Sequence, residues 1–354
     1  MGKHELRDRV IGMFLGIAIG DALGMPFEKV FTPAELLAMP DEVFADYQDP
    51  PPGHKFHDGK LKAGETTDDT QLSLVVAESL IACGRIDMDD MARRHVEAMD
   101  DRVSGWGKGT LTAVERLKSG VSWRESGMPT SGNGVMMKIS PLAAMFILQK
   151  QPFKNGLGPK PHVKAAALAS RTTDGLFDLA QMTHKTRLGV EQGIMQFSLA
   201  SLCFDWRNGN GFITEFFKRA IMLSLQVEAR REHFDFDIDA EPDLSRRIIN
   251  LMCEKHHLKD LAFLADYYGD KPFYVYNSLP LTYACFLKDH DSFQAVINAI
   301  RVGGDTDTNA SIVGALLGAK NGTAVFPQTL VDGLKEKDKI LDVAERFCDK
   351  FLPL

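Results

Sequence analysis

The chain has 354 residues, with 41 basic and 48 acidic side chains and a formal net charge of −7. Its 44% hydrophobic and 25% charged residues are typical of a folded globular protein and exclude a disordered, collagen-like or coiled-coil class. The acidic balance argues against a nucleic-acid binder, because such a protein needs a basic face. The five cysteines form no CxxC motif, so we expect reduced thiols and a cytoplasmic location.

Apolar residues recur at three- and four-residue steps along most of the chain, which predicts an all-α fold. Strand-like alternation is confined to Phe273–Tyr276. The proline- and glycine-rich stretches 40–66 and 150–162 are expected to be loops, and the highly charged segment 227–262 a solvated helical region. Without an internal repeat or a clear linker, the sequence predicts one domain over 1–354. Predicted helices cover 10–24, 70–82, 109–118, 139–149, 187–203, 212–230, 244–256, 279–289, 292–301 and 309–320.

The first predicted helix carries glycine at every fourth position, at Gly12, Gly16, Gly20 and Gly24. On a helix these positions form one smooth stripe that another helix can approach closely. Each glycine costs roughly 1 kcal/mol of helix stability relative to alanine, so close packing must compensate. No apolar run reaches the roughly 20 residues of a membrane span, and no membrane contact is expected.

A polar run, Thr66–Thr70, opens the helix predicted over 70–82 and contains the adjacent Asp68 and Asp69. One acidic residue would complement the helix dipole or cap the helix. Two adjacent acidic residues between threonines are more than helix capping requires. From this cluster alone, a helix cap and a functional site are equally good interpretations.

A second run, Gly303–Asn309, leads acidic and hydroxyl residues into a helix of small residues that must pack tightly. Unpaired buried carboxylates are costly, so two such clusters are best explained if they converge on cations. Asp and Thr are hard oxygen donors and neither cluster contains Cys or His, which favours magnesium, manganese or calcium over zinc or copper. Glu28 could add a carboxylate, and two neighbouring cations can clamp substrate oxygens and activate a water.

A third motif, Thr130–Lys138, has two glycines that bracket Asn133. Backbone N–H groups at such a turn can bind phosphate oxygens, with Lys138 adding positive charge. Most turns of this kind are only loops. Trp106 could stack on a base, although a core position is an equally good interpretation.

The acidic run 235–241 imitates the start of an EF-hand loop. Ala240 and Arg246 stand where that loop needs Gly and Glu, so a solvated acidic loop is expected instead.

Taken together, these motifs resemble the ADP-ribosylglycohydrolase family in identity and order. The resemblance spans roughly 8–330, whereas 150–164 and 204–262 match poorly. It implies a compact multi-helix fold with a central cleft that holds two divalent cations, Mg²⁺ or alternatively Mn²⁺. The segments that carry it are Gly20–Gly24 with Glu28, Thr67–Thr70, Gly132–Gly134 with Met137, Thr183-His184 and Gly303–Thr308.

The same resemblance implies roles for individual residues. Glu28 and Asp68 would be catalytic, with Glu28 or a metal-bound carboxylate as general base, and His184 would lie on the substrate side. Lys138 replaces the family's usual arginine, which keeps the charge but loses the bidentate fork. The implied metal ligands are Thr67, Asp68, Asp69, Asp305, Asp307 and Thr308, and the implied diphosphate binders are Ser131, Gly132, Asn133 and Gly134.

The activity implied is hydrolysis by a metal-held water that removes ADP-ribose from a modified protein side chain. Arginine is the favoured acceptor, and the expected partners are an ADP-ribosylated protein and the product ADP-ribose, with the enzyme a monomer. ADP-ribosyl-serine or a free ADP-ribose conjugate is an alternative substrate. A catalytically silent member that binds ADP-ribose, or a phosphohydrolase acting on the diphosphate, is an alternative function.

Overall fold

Helices make up the regular structure of the protein. The computed structural model describes residues 2–150, 174–207, 209–229 and 241–352. Within these ranges there is no β-strand, only two isolated bridges, which confirms the all-α prediction. In chain order the helices are α1 Lys3–Gly24, α2 Pro33–Ala38, α3 Asp68–Cys83, α4 Met88–Asp100, α5 Lys108–Lys118, α6 Trp123–Ser126, α7 Ser140–Lys150, α8 with its described part at 174–181, α9 Arg187–Asp205, α10 Phe212–Glu228, α11 Leu244–Cys253, α12 Leu261–Tyr268, α13 Val275–Lys288, α14 Gln294–Arg301, α15 Thr306–Asn321, α16 Gln328–Gly333 and α17 Lys337–Phe351.

Every helix predicted from the sequence corresponds to an observed one, but α2, α4, α6, α8, α12, α16 and α17 were missed. These helices are short or rich in charged residues, and only a narrow stripe, such as Ile340, Val343 and Phe347 in α17, is buried. The strand-like interpretation of Phe273–Tyr276 is wrong, because α13 begins at Val275 and only one bridge, Gly132 to Tyr274, is formed there.

The predicted loops and the end of one predicted helix can be compared with the structure in part. Apart from a 3-10 turn at Asp41–Phe44, 40–66 is non-helical, as expected. Most of the predicted loop 150–162 and much of the acidic run 235–241 lie outside the described residues. The helix expected over 244–256 stops at Cys253 and is followed by a 3-10 turn.

The glycine stripe of α1 packs directly against α15. A Cβ added at Gly16 would lie 2.1 Å from the carbonyl oxygen of Gly314, and one at Gly20 would lie 2.1 Å from that of Ala310. Real Cβ atoms are never this close to another atom, so the two backbones touch and only glycine fits. At the end of the pair, Thr306 Oγ1 donates to the Gly24 carbonyl oxygen at 2.8 Å, which fixes the start of α15 beside the end of α1.

The segment Lys3–Phe27, which contains α1, is long and apolar enough by length and composition to cross a membrane. In this fold 94% of its most apolar 18-residue window is buried inside the protein, as in the core helix of a soluble protein. The length of this apolar segment was underestimated from the sequence, because charged residues near its start interrupt the pattern.

Candidate active site

Two helix N-termini meet beside the end of α1. The side chain of Thr67 caps α3, whose first turn carries Asp68 and Asp69, and Asp305 precedes α15, whose first turn carries Asp307. N-terminal helix turns favour negative charge, which makes them suitable places for carboxylates. All four aspartates are at most 5% exposed. The fold thus brings together two acidic clusters that lie far apart in the sequence.

Direct contacts join the two clusters. Thr308 Oγ1 donates to Asp69 Oδ2 at 3.0 Å, and Thr67 Oγ1 donates to the same oxygen at 3.3 Å. One carboxylate oxygen each from Asp21, Asp69 and Asp307 lie within 4.8 Å of one another. Asp69 Oδ1, the oxygen that accepts from neither threonine, is buried and has no hydrogen-bond partner in the described part of the chain.

Asp21 was quoted from the sequence only as part of a motif, and the structure places it in the cluster. Its carboxylate accepts hydrogen bonds from the N–H groups of Thr67 and Thr70 at 3.0 Å, and from Thr70 Oγ1 at 2.5 Å. It therefore holds the N-terminus of α3 against α1. The sequence signal was the single carboxylate in the apolar, glycine-striped stretch 10–24 of this helix.

Burial and mutual repulsion make this cluster unusually reluctant to ionise. Desolvation, reinforced by neighbouring carboxylates, raises the pKa of Asp68 and of Asp305 to about 7 and that of Glu28 to about 10. The same causes raise the pKa values of Asp69 and Asp307 well above the usual range. Such shifts mark a site that lacks compensating positive charge.

The donor set fits divalent cations. It consists of carboxylate and hydroxyl oxygens, the ligands that Mg²⁺ and Mn²⁺ accept, and the orphaned Asp69 oxygen is an acceptor without a donor. A bound cation would supply the missing partner of Asp69 Oδ1 and would reduce the repulsion among the carboxylates. Of the six predicted ligands, Asp69 and Asp307 have carboxylate oxygens close enough, together with Asp21, to share an ion. The roles of Thr67, Asp68, Asp305 and Thr308 as ligands stay a prediction.

Glu28 lies at the edge of this cluster, 6% exposed, next to a histidine that the sequence did not single out. His57 Nε2 is 2.9 Å from Glu28 Oε2 and 4.0 Å from Asp307 Oδ2. Its other nitrogen, Nδ1, lies 3.0 Å from Ser104 Oγ. Burial lowers the pKa of His57 to about 3, so the ring is neutral. No sequence motif marked His57, because it comes from the loop 40–66.

The turn 131–134 is held between the acidic cluster and the segment before α13. The N–H of Asn133 donates to the Phe273 carbonyl oxygen at 3.1 Å, and its Nδ2 donates to Asp305 Oδ2 at 2.5 Å. Gln192 Nε2 donates to the Gly132 carbonyl oxygen at 2.7 Å. The amide of Asn133 therefore orients an acidic residue of the cluster.

This turn forms one wall of a cavity of about 610 Å³, here named the Ser131 pocket. Within its lining, the Lys29 ammonium lies 3.8 Å from the centroid of the Phe273 ring. Glu241, expected from the sequence to lie in a solvated loop, instead lines the pocket, accepting hydrogen bonds from Ser131 Oγ and from the N–H of Leu188. The lining residues are Lys29, Pro129, Thr130, Ser131, Gly132, Glu241, Lys271, Pro272, Phe273 and Tyr274.

A second cavity, of about 740 Å³, is named the Trp106 pocket. Trp106 is half-buried, and its Nε1–H donates to Gln71 Oε1 at 2.8 Å. A Cβ at the neighbouring Gly105 would lie 2.2 Å from Asp68 Oδ1, so this backbone passes directly over the acidic cluster. The lining residues, none shared with the Ser131 pocket, are Lys60, Leu61, Glu65, Thr66, Arg102, Val103, Ser104, Gly105, Trp106, Leu111, Lys335 and Glu336.

Four of the predicted substrate-binding residues, Asn133, Gly134, Lys138 and His184, line neither pocket. The last two lie behind the turn. Lys138 is 0% exposed and its Nζ has no hydrogen-bond partner in the described residues. Burial lowers the pKa of Lys138 to about 8, against the attraction of Asp68. His184, 3% exposed, packs under Gly134. The expected direct contact of Lys138 with a diphosphate does not agree with this burial, which suits an internal countercharge to Asp68.

Comparison with known proteins decides the family. The sequence model described as ADP-ribosylglycohydrolase matches residues 2–353. The chain belongs to the ADP-ribosylglycohydrolase family. It is therefore a hydrolase of glycosyl bonds. The match extends past the 8–330 recognised from motifs and includes the divergent region 204–262.

The relatives of this ADP-ribosylglycohydrolase differ in how much of the chain they match and at what identity. ADP-ribosylhydrolase ARH3 of Homo sapiens is 24% identical over 394 aligned residues, covering 99% of this chain and 96% of that protein. ADP-ribosylarginine hydrolase Tri1 of Serratia proteamaculans is 35% identical over 148 residues, covering 39% of this chain and 37% of that protein. A solved structure described as an ADP-ribosylglycohydrolase-related protein complex has the same fold, with a TM-score of 0.65, 22% identity and coverage of 99% of this chain and 100% of that one.

Proposed function

We propose that this ADP-ribosylglycohydrolase removes ADP-ribose from ADP-ribosylated arginine side chains of proteins, using two divalent cations. The observation that carries the proposal is the convergence of Asp68, Asp69, Asp305 and Asp307, with an orphaned buried oxygen. One cavity adjoins this cluster through Gly105, and the other through Gly132, whose neighbour Asn133 is bonded to Asp305. The likeness to a relative named ADP-ribosylarginine hydrolase supports arginine as the acceptor.

The two pockets suit the two halves of such a substrate. The Ser131 pocket offers the turn 131–134 and the ammonium groups of Lys29 and Lys271 to the ADP part. The Trp106 pocket offers an indole ring and the carboxylates of Glu65 and Glu336, beside the basic side chains of Lys60, Arg102 and Lys335. An aromatic face and carboxylates are the groups that bind a guanidinium. The bond to be cleaved would then lie over the acidic cluster between them.

The protein's own groups would move one proton in the reaction. The bond from the anomeric carbon to the guanidine nitrogen breaks, and a water oxygen takes its place on the carbon. Glu28 would accept a proton from that water and pass it to the leaving nitrogen. Cations bound to the aspartates would supply positive charge that polarises the oxygens they touch.

Positive charge that develops on the ribose would be stabilised by the surrounding carboxylates. Asn133 keeps Asp305 in place for this role through its 2.5 Å hydrogen bond. The packing of α1 against α15 keeps the cluster rigid, so that little reorganisation is needed during the reaction.

The proposal is tested by mass spectrometry on two substrates, a protein carrying ADP-ribosyl-arginine and a peptide carrying ADP-ribosyl-serine. Each is incubated with the enzyme and Mg²⁺ or Mn²⁺, beside Asp305→Ala as the inactive control. We expect intact ADP-ribose to be released from the arginine substrate alone, and not by the variant.

Other products would identify the alternatives. Release from the serine peptide alone would replace arginine by serine as the acceptor. AMP instead of ADP-ribose would indicate cleavage of the diphosphate. No release from either substrate by folded, cation-loaded protein would contradict the hydrolase proposal and favour a silent ADP-ribose-binding member.

A further inference from the structure

A histidine reaches the acidic cluster from a loop with no acidic motif. His57 is 0% exposed, and its Nε2 points at the carboxylates of Glu28 and Asp307. The choice of metal made from the sequence rested on the absence of Cys and His from the two acidic clusters. The position of His57 removes that premise.

The hydrogen bonds of Ser104 determine which nitrogen of His57 carries the proton. Ser104 Oγ lies 2.7 Å from the carbonyl oxygen of Phe56, which cannot donate, so the single hydroxyl proton of Ser104 is directed there. The oxygen of Ser104 can then only accept from His57 Nδ1–H, 3.0 Å away. In a neutral imidazole this leaves Nε2 with a lone pair and no proton.

Once Glu28 is ionised, as binding to a cation requires, three acceptor atoms face one another. They are His57 Nε2, Glu28 Oε2 and Asp307 Oδ2, which all lie within 4.8 Å of one another. The separations of 2.9 Å and 4.0 Å from Nε2 also have the size expected of ligands around one ion. Ligands about 2.1 Å from an octahedral cation stand about 3 Å apart when adjacent and about 4.2 Å apart when opposite.

We propose that His57 Nε2 is a nitrogen ligand to a divalent cation held with Glu28 and Asp307, and that it shifts the metal preference of this centre from Mg²⁺ towards Mn²⁺ and other transition-metal ions. Imidazole binds transition-metal ions better than Mg²⁺, which prefers oxygen ligands and its own water shell. Ser104 orients the ring through Nδ1, an arrangement common among metal-binding histidines. The inference rests on the proposed cation centre, but it does not depend on the identity of the acceptor.

The test is electron spin-echo spectroscopy of the full-length, substrate-free protein loaded with Mn²⁺. Wild-type protein is expected to show ¹⁴N modulation that changes to ¹⁵N modulation when histidine is ¹⁵N-labelled. His57→Gln should lose the modulation, while His54→Gln should keep it. His54 is a matched control from the same loop, whose ring lies 4.7 Å from that of His57 and which is in neither group of candidate metal ligands in the described residues.

Calorimetric titration of Mg²⁺ and Mn²⁺ gives an independent readout. In His57→Gln the affinity for Mn²⁺ should fall by about tenfold or more, and that for Mg²⁺ by less than about threefold. Wild-type protein that binds Mn²⁺ without nitrogen modulation would overturn the inference and leave His57 as a hydrogen-bonding partner of Glu28. Equal losses for both ions would also overturn it. Neither measurement requires turnover, so failure of the proposed hydrolysis would be seen separately.

Discussion

The helix side of the site and its loop side are built in opposite ways. On the helix side, α1 and α15 touch backbone to backbone, with glycines where any Cβ would be about 2 Å from a carbonyl oxygen. On the loop side, Glu28, His57, Gly105 and the turn 131–134 come from separate segments and are held by individual side-chain hydrogen bonds. The helix side fixes where the carboxylates lie, and the loop side adjusts what they can bind.

The largest effect is expected on the helix side, from Gly16→Ala. The new methyl group would lie 2.1 Å from the Gly314 carbonyl oxygen, and neither helix can move without disturbing the core. We expect the free energy of unfolding, measured with urea, to fall by about 4 kcal/mol or more. Gly2→Ala, where no atom lies within 4 Å of the added Cβ, is the matched control and should change little. A Gly16→Ala protein of normal stability would show that the two backbones are not in contact.

Asp69→Asn tests the effect of the buried carboxylates on the helix side. In the cation-free protein the variant should be more stable than wild type at pH 8, because it removes a buried charge and an orphaned oxygen. When Mn²⁺ is added, Tm should rise for wild type but much less for the variant. A Tm that does not respond to Mn²⁺ in wild type would argue against a cation centre.

The free energy of unfolding of wild type and of Asp69→Asn should also depend differently on pH. The pKa of Asp69 is raised in the fold by burial and by Asp21 and other neighbouring carboxylates, so the folded state binds this proton more tightly than the unfolded state does. The resulting stability is complete below about pH 4 and is lost as the pH rises through the folded pKa. Between pH 5 and pH 8, cation-free wild type should therefore lose more stability than Asp69→Asn. The difference should exceed about 1.4 kcal/mol, the equivalent of one pKa unit, and parallel profiles would contradict it.

On the loop side, Gly105→Ala should disturb binding more than folding. Its Cβ would lie 2.2 Å from Asp68 Oδ1, at a φ of 116° that disfavours other residues. We expect a loss of stability of about 1–2 kcal/mol and a fall in Mn²⁺ affinity of roughly tenfold. Gly107→Ala is the control, since it has φ −62° and no atom within 4 Å of the added Cβ. Equal effects of the two substitutions would show that Gly105 does not shape the site.

The smallest effect is expected from Ser131→Ala. The hydroxyl group contacts Thr186 and Glu241, and its loss leaves the backbone of the turn in place. We expect a two- to threefold rise in KM with little change in kcat, and a loss of about 1 kcal/mol in stability. Ser119→Ala, at an exposed position, serves as the control. A large fall in kcat would instead place the hydroxyl of Ser131 in the chemistry.

The sequence predicted the helix side better than the loop side, for a physical reason. Glycine spacing in α1 and the Asp/Thr clusters are local patterns, and the backbone contacts they imply are the ones observed. The positions of His57, Glu241 and Lys138 depend on which distant segments meet, and no local pattern encodes that. His57 was hidden in a proline- and glycine-rich loop. Lys138 was expected to add positive charge to a phosphate-binding turn, because its burial next to Asp68 cannot be deduced from its neighbours in the chain.

The most direct test of the central claim is anomalous diffraction at the manganese absorption edge from crystals soaked in Mn²⁺. We expect peaks within about 2.0–2.4 Å of carboxylate oxygens of Asp69 and Asp307, inside the cluster formed by the N-termini of α3 and α15. Fully occupied peaks confined to other acidic surfaces, with the cluster empty, would contradict a cation centre at this position.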